Sequence, residues 1–269
     1  MFSPQLASPL DLTHIGMYVV NDDWVLEQKL DGHRIALILR QDKPPLAITR
    51  NGTHYTRKLP AAIQALRSTQ APDDSPFIID GELVGLSFWA FDLLREDGSM
   101  NKMPLTDRRA LLEHLTAGEE HLKLVPQART TEEKERLLLH AAETFLEGVV
   151  AKRASSTYIG RRSRDWLKAK FVCTADVVVL AVRDDGKESA SLGIHDASRW
   201  FEIGRCSLLG KPPVEVGDVV EVAYLYVQHP EAPRLYQPNL IRVRKDKNPI
   251  DCDGADFRMT NKRVLDSLP

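Results

Sequence analysis

Lys29 stands in a short stretch whose side chains could carry out covalent chemistry. Residues 27–34 read Glu-Gln-Lys-Leu-Asp-Gly-His-Arg, and apolar residues flank the stretch on both sides. A lysine that is partly desolvated among apolar neighbours, with other cations nearby, can have its pKa lowered enough to act as a nucleophile. A lysine at a strand end is otherwise commonly a solvated residue, so the other motifs of the chain must decide between the two interpretations.

Two further pairs of charged residues alternate along predicted strands. Asp80 and Glu82 lie in the apolar run Phe77–Val84, and Lys168 and Lys170 follow Trp166. Residues two apart on a strand share a face, so each pair brings like charges together. Such a pair is favourable only if the carboxylates meet water, a cation or a metal, and if the ammonium groups meet an anion.

The elements that would position these residues can be read from turn and cap signals. Asp31-Gly32 between two β-prone runs predicts a hairpin, and Arg50-Asn51-Gly52 predicts a tight turn. Helices are expected over 106–115, capped by Thr106, and over 130–146, with Gly148 as the stop residue.

The pattern of apolar residues changes after residue 171. From Val172 onward the sequence has almost no helical period, and short β-prone runs are separated by Gly and Pro. This pattern favours a small barrel. We therefore expect a first domain over residues 1–171 and a second over 172–269, with a hinge near Phe171–Thr174.

Composition excludes several classes of protein. The 269 residues carry 36 basic and 38 acidic side chains, a net charge of −2, so a nucleic-acid-binding face must be a local patch. The three cysteines have no metal or redox spacing, which fits a reducing interior. No signal peptide or membrane-spanning run is evident, and we expect a cytoplasmic protein, in the host cytoplasm if the source is viral.

The motifs, taken in order, resemble those of the ATP-dependent DNA ligases, which are covalent nucleotidyltransferases. Each motif is weak by itself, but the ordered set covers nearly the whole chain and is specific. The motifs are Glu-x-Lys-x-Asp-Gly-x-Arg at 27–34, Arg50-Asn51-Gly52, Asp80-Gly81-Glu82-Leu83, the aromatic run ending in Asp92, Glu147-Gly148-Val149-Val150-Ala151-Lys152, Lys168-Ala169-Lys170, and Arg242-Val243-Arg244-Lys245-Asp246-Lys247.

The resemblance implies a fold and a set of roles. The fold would be an α+β adenylyltransferase domain, ATP-grasp-like with antiparallel sheets and helices, followed by an all-β OB-fold barrel. The catalytic residues would be Lys29, Lys168 and Lys170. The ATP-binding residues would be Glu27, Arg34, Arg50, Glu82, Phe91, Arg244 and Lys247, and the metal ligands Glu147 and Glu82. Apart from the resemblance, the segment from Lys152 to Lys170 carries Arg153, Arg161, Arg162 and Arg164 with only Asp165 against them. It is a candidate basic track for the phosphate backbone of DNA, with Arg34 as a further contact, and a solvated loop is the alternative.

The activity implied is the sealing of nicks through a lysyl-AMP and a DNA-adenylate. ATP and Mg²⁺ would be the cofactors, with Mn²⁺ as a substitute. Nicked duplex DNA would be the partner of a monomeric enzyme that does not associate with membranes. Only about two dozen residues precede Lys29, so an accessory repair or replication protein is expected to assist DNA binding.

Two alternatives remain open at this point. The first is another enzyme built on the same motifs, an RNA ligase or an mRNA-capping guanylyltransferase. The second is a nucleic-acid-binding OB protein whose transferase half is inert. The sequence leaves open whether the pathway is replication, repair, break joining or the upkeep of a viral genome.

Overall fold

A computed structural model gives the fold, and it describes residues 2–66, 75–144, 146–183, 188–196, 199–229, 232–255 and 257. The described residues form two compact units. The first comprises the residues up to Ala141 together with Gly148–Lys170, and the second comprises Ala142–Glu147 and the residues from Phe171 onward.

The first unit contains two five-stranded sheets and the α-helices. Its strands are β1 (Leu6–Pro9), β2 (Trp24–Gln28), β3 (His33–Leu39), β4 (Leu46–Thr49), β5 (Phe77–Val84), β6 (Ser87–Arg95), β7 (Leu122–Leu124), β8 (Gln127–Ala128), β9 (Gly148–Arg153) and β10 (Arg162–Lys170). The helices are α1 (Gly16–Val19), α2 (Ala61–Gln64), α3 (Leu105–Thr116) and α4 (Thr131–Glu143), with 3₁₀ turns at Leu12–His14, Thr56–Lys58 and Ser99–Lys102.

Both sheets are mixed rather than purely antiparallel, which corrects the expected fold class. The strand orders are β1-β10-β9-β2-β8 and β4-β3-β5-β6-β7. β1 pairs with β10 and β7 pairs with β6 in parallel. A parallel pair needs a long connection between its strands, and long stretches of chain do separate these strands.

The Asp31-Gly32 turn does not make a hairpin, so that prediction was wrong. β2 and β3 belong to different sheets, and the chain crosses between the sheets at this turn. The Lys29 amide still donates to the Gly148 carbonyl at 2.8 Å, which extends the β2–β9 ladder by one residue. A Cβ on Gly32 would lie 2.4 Å from the Leu83 carbonyl oxygen. Gly32 is therefore required for close approach to β5 rather than for a hairpin.

The apolar run of β3 packs on both faces, as expected for a central strand. Ile35 and Leu37 join the core between this sheet and the helices, whereas Ala36 and Ile38 face the layer that contains Tyr158 and Trp166. The residues that border the site thus alternate with residues that hold the sheet to its helices.

Two helix-boundary predictions are corrected. Thr106 was predicted to cap α3, but it lies inside this helix. The helix begins at Leu105, and Pro104 is its N-cap residue. α4 ends at Glu143, and Gly148 instead starts β9, where a Cβ would meet the Ala169 carbonyl oxygen.

The second unit is built from strands. They are β11 (Cys173–Arg183), β12 (Ser189–Asp196), β13 (Arg199–Ser207), β14 (Val219–Tyr224), β15 (Val227–Gln228), β16 (Arg234–Leu235) and β17 (Asn239–Val243), with a 3₁₀ turn at Pro249–Asp251. Five strands form an antiparallel sheet in the order β13-β12-β11-β14-β17, and β15 pairs with β16. Cys173, Cys206 and Cys252 are buried, and none of them forms a disulfide in the part of the chain that the structure describes.

No described helix is long and apolar enough to cross a membrane.

Candidate active site

A pocket of about 230 Å³ lies between the two sheets of the first unit. Strands from both sheets contribute to it because each sheet turns one face toward this layer. Many of the residues singled out from the sequence line this pocket, namely Glu27, Lys29, Arg34, Arg50, Glu82, Phe91, Lys152, Arg162 and Lys168.

Lys29 follows the last residue of β2, and its backbone is held by the hydrogen bond to Gly148. It is therefore on a paired backbone even though it lies beyond the assigned strand. The hydrogen bond fixes the backbone from which the Lys29 side chain starts, so the amine reaches into the pocket from a defined position.

Glu27 and Lys152 form an ion pair inside the pocket. Lys152 Nζ lies 2.6 Å from Glu27 Oε2, and the two side chains are 2% and 3% exposed, respectively. Gln127 Nε2 donates to Glu27 Oε1 at 2.9 Å. Lys152 was predicted to contact the DNA backbone, and this is corrected: it follows the buried strand residues Val149 and Ala151 and neutralises Glu27 in the interior.

Two aromatic rings stand beside this ion pair. Lys152 Nζ lies 4.6 Å from the centroid of the Phe91 ring and 4.3 Å from that of Trp166. The rings of Phe91 and Trp166 meet edge to face, with centroids 6.0 Å apart. A cation over the face of an aromatic ring is attracted to it, so Lys152 is held both by the carboxylate of Glu27 and by the two rings.

Arg34 offsets the repulsion expected between the carboxylates of Asp80 and Glu82. Its guanidinium donates to both carboxylate oxygens of the fully buried Asp80, at 3.0 and 2.6 Å, and Arg34 pairs across the sheet with Glu82. Burial would lower the pKa of Arg34, but the charge of Asp80 outweighs this and raises it above its usual value. The cation that these carboxylates need is therefore supplied by the protein.

Tyr158 completes that network. Its hydroxyl donates to Asp80 Oδ2 at 2.8 Å and accepts a hydrogen bond from the backbone N–H of Gln5, also at 2.8 Å. Burial, followed by the charge of Asp80, raises the pKa of Tyr158 well above its usual value. Arg34 also lies 5.3 Å from the Phe91 ring centroid, so this buried network supports the aromatic wall of the pocket.

Cations are concentrated at Lys168. Burial lowers the pKa of this lysine, and the charges of Lys170, Arg162, Lys29 and Arg50 lower it further. So many positive charges around one partly desolvated lysine are favourable only when an anion joins them. Lys170 itself is exposed and does not line the pocket.

The carboxylates available to a metal ion are few. Among the described residues, no group of three or more Asp, Glu, His or Cys side chains could hold a metal ion by itself. Glu82 lines the pocket, whereas Glu147 is buried just before β9 and does not. Mg²⁺ commonly uses one or two carboxylates and takes its other ligands from phosphates and water, so the donor set fits Mg²⁺ only together with a phosphate ligand.

The arginines predicted to contact DNA are distributed differently. Arg161 and Arg164 are exposed, and Arg153 is half-exposed and bonded to Asp165 at 3.0 Å. Arg162 lines the pocket and donates to the Ala7 carbonyl at 2.5 Å. Arg162 is exposed as well as lining the pocket, so Lys152 is the buried member of the predicted basic track.

Arg244 and Lys247 lie in the second unit around Asp176. Arg244 Nη1 lies 3.2 Å from Asp176, and Lys247 Nζ lies 3.2 Å from the same carboxylate. Arg244 also donates to both oxygens of Asp246, which is the main reason the pKa of Asp246 falls to about 2. The guanidinium of Arg244 is thus held in a fixed orientation.

Sequence reasoning missed two residues that act behind the pocket walls. Tyr158 and Gln127 bond to Asp80 and Glu27 across long separations in sequence, and no local pattern marks them. Lys152 carried a usable signal, because it continues the apolar run Val149-Val150-Ala151 of β9.

A family model matches much of the chain. The model described as "ATP dependent DNA ligase domain" matches residues 4–87 and 84–170. The chain is 31% identical over 202 residues to the multifunctional non-homologous end joining protein LigD of Pseudomonas aeruginosa, covering 66% of this chain and 23% of that protein. It is 28% identical over 300 residues to a probable DNA ligase of Mycobacterium marinum, covering 86% of this chain and 58% of that protein. The chain therefore spans less than two thirds of these relatives.

Solved structures share the fold across most of the chain. A mycobacterial DNA ligase D complexed with ATP and MES aligns with a TM-score of 0.55 at 24% identity, covering 93% of this chain and 97% of that one. A chain described as Pmar-Lig aligns with a TM-score of 0.67 at 20% identity, covering 91% and 68%. A Lig E DNA ligase, described as binding DNA with a minimal scaffold, aligns with a TM-score of 0.60 at 19% identity, covering 91% and 100%.

Proposed function

The chain belongs to the ATP-dependent DNA ligase domain family, and from this premise we propose that it seals nicks in duplex DNA through a covalent lysyl-AMP. The observation that carries the proposal is the pocket itself. One lysine on a fixed backbone, two aromatic rings and a cluster of cations line a single pocket of about 230 Å³. This combination suits a nucleotide whose base lies against the rings and whose phosphates meet the cations.

Lys29 is the proposed nucleophile. Its Nζ attacks the α-phosphorus of ATP, and the bond from that phosphorus to the bridging oxygen of pyrophosphate breaks. The ammonium nitrogen gives up two protons to solvent in this step and keeps one N–H in the phosphoramide. An oxygen of the DNA 5′-phosphate then displaces lysine from AMP. Finally the 3′-hydroxyl attacks the activated 5′-phosphate, forming the phosphodiester and releasing AMP.

The remaining pocket residues divide between base and phosphates. Phe91 stacks on the base, which stabilises binding by about 1–3 kcal/mol, and Glu27 reads its edge. Arg34 and Arg50 bind the ribose and nearby phosphate, while Lys168 and Lys170 neutralise charge that develops at the transferred phosphorus. The cations around Lys168 support this assignment.

Glu82 and Glu147 are the proposed ligands of Mg²⁺, with Mn²⁺ as a substitute. When bound, the cation would offset the charge of the phosphate groups. Glu82 has the better support, because it lines the pocket.

For the second unit we propose an OB fold that delivers Arg244 and Lys247 to the pyrophosphate of ATP. When only the five strands of its larger sheet are numbered, in chain order, the sheet order is 3-2-1-4-5, and this supports a five-stranded OB barrel. A change in the unit's position, with a hinge near Phe171–Thr174, would follow the first step.

Nicked duplex DNA is the proposed substrate of a monomeric enzyme. Arg153, Arg161 and Arg164 would contact its phosphates independently of sequence, and Arg162 would bind the phosphate nearest the pocket. The end-joining relatives favour a role in repair, in which an accessory protein could supply further DNA contacts.

The experiment that tests the function is labelling with [α-³²P]ATP and Mg²⁺, followed by a denaturing gel, for the wild type and Lys29→Ala. We expect an acid-labile label that pyrophosphate removes from the wild type, no label on Lys29→Ala, and conversion of the labelled enzyme to AMP-free protein by nicked DNA. A label from GTP alone would indicate a capping guanylyltransferase. No label from either nucleotide, with Mg²⁺ or Mn²⁺ and folded protein, would exclude a nucleotidyltransferase.

A further inference from the structure

Gln127 lies directly behind Glu27, outside the pocket. It pairs with Glu27 across the β2–β8 ladder, and its Nε2 donates to Glu27 Oε1 at 2.9 Å. Gln127 is not among the residues that line the pocket. Any effect of Gln127 on a bound nucleotide must therefore pass through the carboxylate of Glu27.

The amide of Gln127 is itself held in one orientation. Arg129 Nε donates to Gln127 Oε1 at 3.0 Å, so the opposite end of the amide must present its N–H groups to Glu27. Arg129 also bonds to Glu113 at 3.2 Å. A flipped amide would place a carbonyl oxygen against the carboxylate of Glu27 and N–H groups against Arg129, so both contacts would become repulsive.

The two contacts of Glu27 leave room for a ligand. A carboxylate has about four acceptor positions, and Gln127 and Lys152 each occupy one, on different oxygens. Since Glu27 lines the pocket and is 2% exposed, an acceptor position that remains can be used only from the pocket. Holding both oxygens fixes the plane of the carboxylate and so the direction of that acceptor.

A fixed acceptor discriminates between purines. Adenine carries a 6-amino group, which donates to a carboxylate, whereas guanine carries a 6-oxo group, which is an acceptor and is repelled by one. If the carboxylate could turn, Lys152 could take both oxygens and offer its own N–H groups to the pocket, where they would suit guanine.

We propose that Gln127 is a positioning residue that sets the preference for adenine over guanine by fixing the carboxylate plane of Glu27, with Arg129 holding Gln127 in turn. This inference rests on the proposed function. Gln127→Met keeps the length of the side chain and removes both polar groups, and Arg129→Met removes only the outer support.

The test measures nucleotide binding rather than transfer. In a Lys29→Met background, which cannot form the covalent bond, the dissociation constants of ATP and GTP are measured by calorimetry for the parent, Gln127→Met, Arg129→Met and a control. The control is Gln64→Met on α2, whose amide donates to the Leu59 carbonyl at 2.7 Å and which is not among the residues that line the pocket.

We expect Gln127→Met to reduce the ratio of the GTP to the ATP dissociation constant by about tenfold, because a hydrogen bond to a charged group contributes about 1.5–3 kcal/mol. Arg129→Met should reduce it by a smaller factor, and Gln64→Met should leave it unchanged. Equal weakening of both nucleotides, or an unchanged ratio, would show that Gln127 is merely structural and overturn the inference. If the wild type is labelled by ATP, the proposed function survives that result; a parent that binds neither nucleotide overturns both.

Discussion

At the scale of single residues, burial and neighbouring charges alter the pKa of one lysine in the pocket. This lysine is Lys168, and burial and four neighbouring cations all lower its pKa. A lysine with a lowered pKa loses its charge at a lower pH than an ordinary lysine does. The cation that would bind phosphate is therefore lost as the pH rises through this lowered value.

We predict that ATP binding by Lys29→Met weakens on the alkaline side before an ordinary lysine, with a pKa of about 10.4, would titrate. The double variant Lys29→Met, Lys168→Arg should retain ATP binding to higher pH, because an arginine stays charged. Calorimetric titrations between neutral and alkaline pH check this. Identical pH profiles for the two proteins would show that Lys168 does not control binding.

Asp80 is predicted to matter for stability as well as for the site. Asp80→Asn leaves Arg34 as an uncompensated, largely buried cation and should lower the free energy of unfolding by about 3 kcal/mol. The matched control is Asp165→Asn, which breaks the half-exposed pair with Arg153 and should change it by less than about 1 kcal/mol. Urea unfolding of the two variants measures the difference, and equal effects would contradict the account.

At the scale of elements, the site depends on where the chain crosses from one sheet to the other. Gly32 makes this crossing possible by allowing the backbone to approach Leu83. Lys29 and Arg34 lie on either side of the crossing, in different sheets. A displacement here moves the nucleophile relative to the rest of the pocket.

We predict that Gly32→Ala destabilises the protein by about 1–3 kcal/mol through the clash with β5 and slows labelling by at least about tenfold, since a shift of about 1 Å can cost a hundredfold. Gly85→Ala is the control, because its Cβ would meet nothing within 4 Å and it carries only the strain of φ +57°. Denaturation and labelling rates test the pair. Normal labelling by Gly32→Ala would refute the importance of the crossing.

The sequence predicts elements better than it predicts their partners. β5 occupies Phe77–Val84, the range expected from its apolar run, because burial on both sides is encoded locally. The prediction of a hairpin at Asp31-Gly32 was wrong because the glycine is required for a close approach to Leu83, which is distant in sequence. Lys152 was predicted to contact DNA because it begins a run of basic residues, and only the tertiary pairing with Glu27 shows why it is buried.

At the scale of the whole molecule, the two units are predicted to serve different steps. Arg244→Ala and Lys247→Ala should slow formation of the lysyl-AMP by about a hundredfold, the typical effect of losing one stabilising charge. Enzyme that is already adenylylated should seal nicks at a nearly normal rate. The control is Arg242→Ala, an exposed arginine on β17 that pairs with Glu221 on the neighbouring strand β14. Single-turnover assays started with ATP and with adenylylated enzyme separate the steps, and equal losses in both would refute the division.

DNA binding should depend strongly on salt despite the net charge of −2. Each phosphate contact removed should lower the slope of log K against log salt by about 1. Replacing Arg161 and Arg164 together by Ala should therefore reduce the slope by about 2, and Arg136→Ala on α4 should not change it. Fluorescence anisotropy with a nicked duplex at several salt concentrations measures the slopes. An unchanged slope in the double variant would exclude these two arginines from the contact.

The pairing of β1 and β2 with β10 and β9 has a consequence for synthesis on the ribosome. Leu6 pairs with Arg162, and Glu27 pairs with Val150. During synthesis, β1 and β2 therefore cannot pair until β10 and β9 have been translated. At about 5–20 residues per second, this delay lasts several seconds or more. A nascent chain that already displays Lys29 has no pocket in which to react, so nucleotide capture begins only after β10 has left the exit tunnel.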